Sequence, residues 1–142
     1  MHFHTGQIIP IGYGIVDSEN DASWQWFFRR LKEVYPEREG MCIVSDRHES
    51  IAKGAAVVYP TIPHCVCMYH LWNNVKGKFK KSAKHIKDLY FALSRAYTVY
   101  EFNTLMRQLD GIDHRVKPYM QDIGYHKWTR SYCAANRKTS MT

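Results

Sequence analysis

The sequence predicts an α/β protein whose first half forms a small parallel sheet with helices and whose second half is entirely helical. Up to Met68, short apolar runs rich in β-branched residues alternate with stretches of helical spacing, the order that is typical of parallel strands joined by helices. From Tyr69 onward, apolar residues recur only three and four positions apart, which is helical spacing. We therefore divide the chain into an α/β part, residues 1–68, and a helical region, residues 69–142.

Three strands and two helices are predicted in the first part. The strands are residues 7–16, where apolar residues alternate, and the short runs 41–44 and 64–68. Pro10 has no N–H to donate, so one side of the first strand is expected to be unpaired there. The helices are residues 22–35 and 48–58, each followed by a proline that ends it.

The apolar spacing in the helical region predicts four helices. One of them is announced by Thr98 and Glu101, which form a capping box, and it is expected to end at Gly111. A short helix is expected within residues 113–123, bent or delayed by its proline. From Trp128 onward the chain is polar and weakly patterned.

Composition and net charge indicate which kinds of partner the protein is expected to bind. An aromatic content of 14% argues against a disordered chain, and no apolar run is long enough for a membrane span. The net charge is +7, which indicates a polyanionic partner such as nucleic acid, unless the protein is merely basic. We expect neither a membrane nor a small-molecule partner.

A run of lysines concentrates this charge between positions 76 and 87. It contains no acid and consists of Lys76, Lys78, Lys80, Lys81, Lys84 and Lys87. The run is either a solvated helix face or a set of DNA phosphate contacts. Trp72 beside it could stack on a base, although packing in the core is the preferred interpretation.

Asp46 is the candidate catalytic residue, because it follows the apolar run 41–44 with only Ser45 between them. The carboxyl ends of strands in open α/β sheets face the ligand crevice, and a carboxylate there needs a cation or a hydrogen bond. Asp46 is therefore either a magnesium ligand or the cap of the next helix. A two-ion phosphodiester site needs further carboxylates around ions about 3.5–4 Å apart, so Asp46 alone cannot form one.

Cys67 and His70 form a C-x-x-H motif at a predicted strand-to-helix junction. A structural zinc site needs four ligands, and the spacing of the nearby His64 and Cys65 matches no standard zinc finger. A structural pair that fixes the junction is preferred over zinc.

Three blocks of sequence carry a resemblance to a known family: I-V-D-S-E-N-D-A-S-W-Q-W-F-F, S-D-R-H-E-S-I and C-M-Y-H-L-W-N-N-V-K. In order and spacing they resemble the plant Mutator-like (MULE) transposase domain, which also occurs in far-red impaired response regulators. The resemblance covers residues 7–142. It implies a ribonuclease H-like fold interrupted by a helical insertion, and DNA strand cleavage and transfer through an Asp-Asp-Glu site that holds magnesium or manganese.

The resemblance also implies roles for particular residues. Asp46 falls on the family's second catalytic aspartate, Cys67 and His70 on its C-x-x-H motif, and Trp128 with residues 137–142 on the end of the insertion. The first aspartate and the first two strands are expected before residue 1, and the glutamate after residue 142. We therefore interpret the chain as an incomplete ribonuclease H-like fold that has one acid of three, binds no metal and is inactive alone.

Three functions follow from these observations. The leading one is a fragment of a MULE transposase domain from a plant transposable element, acting in the nucleus on the terminal inverted repeats of DNA. The alternative is a non-catalytic, DNA-associated transcriptional regulator derived from such a transposase. The third is a small basic binding module without catalytic ancestry.

Overall fold

The computed structural model describes residues 9–133, which form a mixed structure dominated by helices around a small parallel sheet. The elements follow one another as α1 (Asp21–Val34), β1 (Ile43–Ser45), α2 (Glu49–Val58), β2 (His64–Val66), α3 (Met68–Lys78), α4 (Ala83–Arg95), α5 (Val99–Ile112), α6 (Val116–Ile123) and a 3-10 helix (Tyr125–Lys127). From α1 onward, this order agrees with the prediction for the α/β part and for the helices after it.

The sheet consists of β1 and β2, which pair in parallel with Ile43 opposite His64 and Ser45 opposite Val66. The backbone N–H of Cys67 extends the ladder by donating to the carbonyl oxygen of Ser45 at 2.6 Å. Helix α2 connects the two strands, as the predicted crossover requires. Because the strands end in register, Asp46 and Cys67 leave the sheet at the same edge.

The predicted first strand is wrong over its described part, residues 9–16, which have no regular secondary structure. The alternating side chains are present, but Ile9, Tyr13 and Ile15 are 68%, 95% and 91% exposed. The segment lies against α1, because a Cβ added at Gly14 would be 3.2 Å from the Phe27 ring. Alternation produces a strand only where a neighbouring strand supplies backbone partners, and the described sheet contains only β1 and β2.

Helices α1 and α2 form the first apolar core. Their buried residues are Phe28, Ile51, Ala55, Val58 and the adjoining Tyr59. The helices approach closely at Gly54, where an added Cβ would be 3.2 Å from the backbone carbonyl carbon of Trp24. Asn20 caps α1 by accepting from the backbone N–H of Ser23 at 2.9 Å.

Helices α3 to α6 form a second core that also contains Cys65 and Val66 of β2. Trp128 is fully buried there and stacks on Tyr90, with ring centroids 5.6 Å apart. The weak apolar pattern from position 128 onward gave no indication that Trp128 is buried, because its partners lie on α4 and α5. Residues 137–142, predicted to end the insertion, lie outside the described residues.

The capping box of α5 is confirmed in modified form. Thr98 Oγ1 accepts from the backbone N–H of Glu101 at 3.1 Å, whereas Glu101 Oε2 accepts from Tyr97 N at 3.0 Å. Helix α5 also continues to Ile112, past the predicted end at Gly111.

The two parts of the chain are in contact, because β2 contributes to the helical core. Arg47 Nη1 also donates to the Tyr119 hydroxyl at 3.2 Å. The division into residues 1–68 and 69–142 stays a prediction. Among the described helices, none is both long and apolar enough to cross a bilayer.

Candidate functional site

Asp46 lies immediately after β1, at the carboxyl edge of the sheet, and is half-buried. Its Oδ1 accepts a hydrogen bond from the backbone N–H of His48 at 3.0 Å. This bond closes the turn that precedes α2. The N-cap residue of α2 is His48, so the alternative prediction that Asp46 caps this helix is wrong. Its predicted role as a metal ligand stays a prediction.

A cavity of about 210 Å³ adjoins Asp46. Its lining is Asp46, Arg47, Ala52, His64, Val66, Asp122, Ile123 and Lys127. Asp122 is an exposed residue of α6 and adds a second carboxylate. Sequence reasoning did not single out Asp122, and no local motif marks it, since its position depends on how α6 packs near the sheet edge.

A small hydrogen-bond network stiffens this edge. Ser45 Oγ is 2.8 Å from the carbonyl oxygen of Asp46 and 2.8 Å from His64 Nε2. Since the Ser45 hydroxyl donates to the carbonyl, its oxygen accepts from His64, which must carry its proton on Nε2. Burial, followed by the positive charge of Lys127, lowers the pKa of His64, so the ring is neutral at pH 7.

The carboxylates of the cavity do not complete a metal centre by themselves. Magnesium requires near-octahedral oxygen coordination, and a two-ion site needs several bridging carboxylates. Within residues 9–133, no group of three or more His, Cys, Asp or Glu side chains is arranged to hold a metal. Asp46 and Asp122 therefore do not fit a two-ion centre alone, and no cleavage step follows from them.

The C-x-x-H motif lies at the junction of β2 and α3. Cys67 occupies the N-cap position and is half-buried, whereas His70 lies in the first turn and is exposed. The junction is fixed to the helical core, because the Tyr90 hydroxyl donates to the carbonyl oxygen of Met68 at 2.8 Å. The predicted structural role of Cys67 and His70 is compatible with this placement and stays a prediction.

Four of the six lysines in the run line one groove, and the other two do not. A groove of about 320 Å³ between α3 and α4 is lined by Trp72, Lys76, Lys80, Ala83, Lys84 and Lys87. Lys78 faces elsewhere, with Nζ 4.5 Å from the centre of the Tyr119 ring, and Lys81 is not part of the lining. Trp72 is 8% exposed and packs on Tyr90, as the preferred interpretation expected.

Comparison with known proteins places the chain in the class of transposase-derived proteins. The transposase for insertion sequence element IS905 of Lactococcus lactis subsp. lactis (strain IL1403) is 23% identical over 109 residues, which cover 77% of this chain and 26% of that protein. The chain thus spans about a quarter of the length of this curated relative. No solved structure matches.

The particular family is shown by a family model. The model of the MULE transposase domain matches residues 1–74, just over half of the chain, and the chain belongs to this family. The matched region contains Asp46, Cys67 and His70 and ends before Lys76. The resemblance to the MULE transposase domain is confirmed over residues 1–74, whereas its extension to residue 142 and the plant origin stay predictions.

Proposed function

We propose that the chain is a segment of a DDE-type transposase domain with a ribonuclease H-like core, whose ancestral role is DNA strand cleavage and transfer. The observation that carries this proposal is the position of Asp46. It lies in the family-matched region, at the edge where two parallel strands end together. Such an edge is where open α/β sheets bind ligands.

In this proposal, Asp46 supplies one carboxylate to a magnesium or manganese ion of the intact domain. That ion would polarise the phosphodiester and activate the attacking group. Asp122 is the other carboxylate of the cavity, and the described residues do not complete a site of three. We therefore propose that this chain does not cleave DNA by itself and holds a divalent ion at most weakly.

Manganese titration followed by NMR tests this role without requiring activity. Paramagnetic broadening is expected first at the amide signals of Asp46 and Asp122, and Asp46→Asn should abolish it. Asp88→Asn, an exposed acid of α4, is the matched control and should leave the broadening unchanged. Broadening that starts elsewhere and ignores Asp46→Asn would contradict the metal-ligand role.

A nicking assay on supercoiled DNA tests the proposed inactivity. We expect no magnesium-dependent nicking above background by the purified chain. Turnover that requires magnesium and disappears in Asp46→Asn would show instead that the chain carries a complete catalytic centre.

DNA is the proposed partner, with terminal inverted repeats as the natural target and the nucleus of a plant cell as the place of action. The family and the net charge of +7 support a DNA partner. Fluorescence anisotropy with a labelled duplex tests it. An absence of binding at low salt would contradict it.

A non-catalytic regulator is the second candidate, and one observation favours it. The residues that line the lysine groove and those that line the Asp46 cavity are different sets, so DNA association does not need the metal site. DNA binding should then be unchanged by EDTA and by Asp46→Asn. Loss of binding under either condition would exclude a metal-independent regulator.

A further inference from the structure

We propose that the groove between α3 and α4 is a binding site for the phosphate backbone of duplex DNA. Its ligands are the ammonium groups of Lys76, Lys80, Lys84 and Lys87, which line one cavity of about 320 Å³. This inference rests on the DNA partner proposed above. It assigns DNA contact to a particular surface and removes Lys78 and Lys81 from it.

The joint between the two helices brings these lysines together. Helix α3 ends at Lys78 and α4 begins at Ala83, so Lys76 approaches the groove from one helix and Lys84 and Lys87 from the other. Lys80 lies in the connection between them. All four residues are exposed, and their charges are therefore available to a ligand from solvent.

The groove is positive without internal neutralisation. No acidic residue belongs to its lining. In the described part of the chain, the ion pairs involve Arg30, Lys32, Lys53 and Arg115, and none uses a lysine of the groove. Four like charges around one cavity repel one another, and a polyanion that enters it relieves this repulsion. The N-terminus of α4 adds its positive dipole end.

The floor of the groove is fixed by packing. Trp72 contacts Tyr90 and Phe91, with ring centroids 5.2 Å and 5.9 Å apart, and Ala83 is buried. The Ser82 hydroxyl at the helix joint donates to Asp113 Oδ2 at 2.6 Å. Since the Trp72 ring is occupied in the core, it cannot stack on a base, and the groove should contact phosphates without reading sequence.

Two double variants of equal charge test the groove. Lys80→Gln with Lys84→Gln removes two groove lysines, and Lys78→Gln with Lys81→Gln removes two lysines of the same run outside it. Anisotropy with a labelled 20-base-pair duplex is measured between 25 and 200 mM salt. Far-UV circular dichroism and thermal melting confirm that each variant is folded, and a variant that is not is replaced by the two corresponding single variants.

We expect the groove variant to lose several hundredfold in affinity at about 25 mM salt and roughly twentyfold at about 200 mM, the effect of two lost phosphate contacts, while the control changes less than about threefold. The negative slope of log K against log salt should become less steep by about 1.8 in the groove variant, because each of the two lost phosphate contacts contributes about 0.9. A scrambled duplex should bind as well as an inverted repeat.

Three results would overturn the proposal. Equal losses in both double variants would show a response to net charge alone and leave the DNA partner standing. A strong preference for one sequence would contradict a backbone-only site. If the wild-type chain binds no duplex at 25 mM salt, the groove and the DNA partner both fail, while the manganese test of Asp46 stays independent.

Discussion

The carboxylate of Asp113 accepts a hydrogen bond from the hydroxyl of Ser82 at 2.6 Å. Asp113 lies between α5 and α6, and Ser82 lies between α3 and α4. The same carboxylate pairs with the guanidinium of Arg115 at 2.7 Å. The bonds from Arg115, and then that from Ser82, hold the pKa of Asp113 well below its usual range. One buried acid thus ties together two helix joints that are distant in sequence.

Replacing Asp113 should destabilise the helical core. Asp113→Ala removes hydrogen bonds to a charged group, each of which contributes about 1.5–3 kcal/mol, so we expect a loss of about 3 kcal/mol in the free energy of unfolding. Urea unfolding at pH 7 measures it. Ser82→Ala removes only one of these hydrogen bonds and should lose about 1.5 kcal/mol, and equal losses in both variants would contradict a central role for the acid.

The contribution of Asp113 to stability should depend on pH, because its pKa differs between the folded and unfolded states. The folded pKa of Asp113 is lowered, so its stabilisation is fully present above the unfolded pKa near 3.8 and is lost progressively as pH falls below that value. The wild-type advantage over Asp113→Asn should therefore shrink between pH 5 and pH 2. An advantage that is constant over this range would contradict the argument.

His64 should make the protein less stable in mild acid. Its pKa is lowered in the fold by burial and Lys127, so the unfolded chain binds a proton more readily and stability falls as pH drops below about 6.5. Melting temperatures between pH 8 and pH 5 should fall more steeply for wild type than for His64→Asn. The exposed His114 provides the control, since His114→Asn should reproduce the wild-type slope.

Trp128 should be a major contributor to the helical core. It is fully buried and stacked on Tyr90, and Trp128→Ala should cost about 3–5 kcal/mol in unfolding free energy. Trp128→Phe should cost less, because within residues 9–133 the indole N–H has no hydrogen-bond partner to lose. Trp26→Ala, at a ring that is 45% exposed, is the control and should cost under about 1 kcal/mol. Similar losses at both tryptophans would contradict the packing described.

Two helical glycines should respond in opposite directions. Gly54→Ala places a Cβ 3.2 Å from the Trp24 backbone and should destabilise the protein by about 1–3 kcal/mol. Gly77→Ala in α3 meets no described atom within 4 Å and should stabilise it by about 0.5–1 kcal/mol, through helix propensity. Chemical unfolding of both variants checks the pair. Stabilisation by Gly54→Ala would show that α1 and α2 are not as close as described.

The sequence by itself determined the features that depend on neighbouring residues along the chain. Helical spacing located α1 to α6, the capping box placed the start of α5, and the apolar run before Asp46 placed that acid at the end of β1. The three sequence blocks also identified the MULE family. These signals are local because capping bonds and helical periodicity involve residues only a few positions apart.

Only the tertiary structure decided which distant residues meet. It left residues 9–16 without a strand partner, buried Trp128, brought Asp122 to the Asp46 cavity, and separated Lys78 and Lys81 from the groove. The physical reason is the same in each case. Pairing of strands, burial of a ring and convergence of charges depend on how elements pack across the molecule, and local periodicity carries no information about that packing.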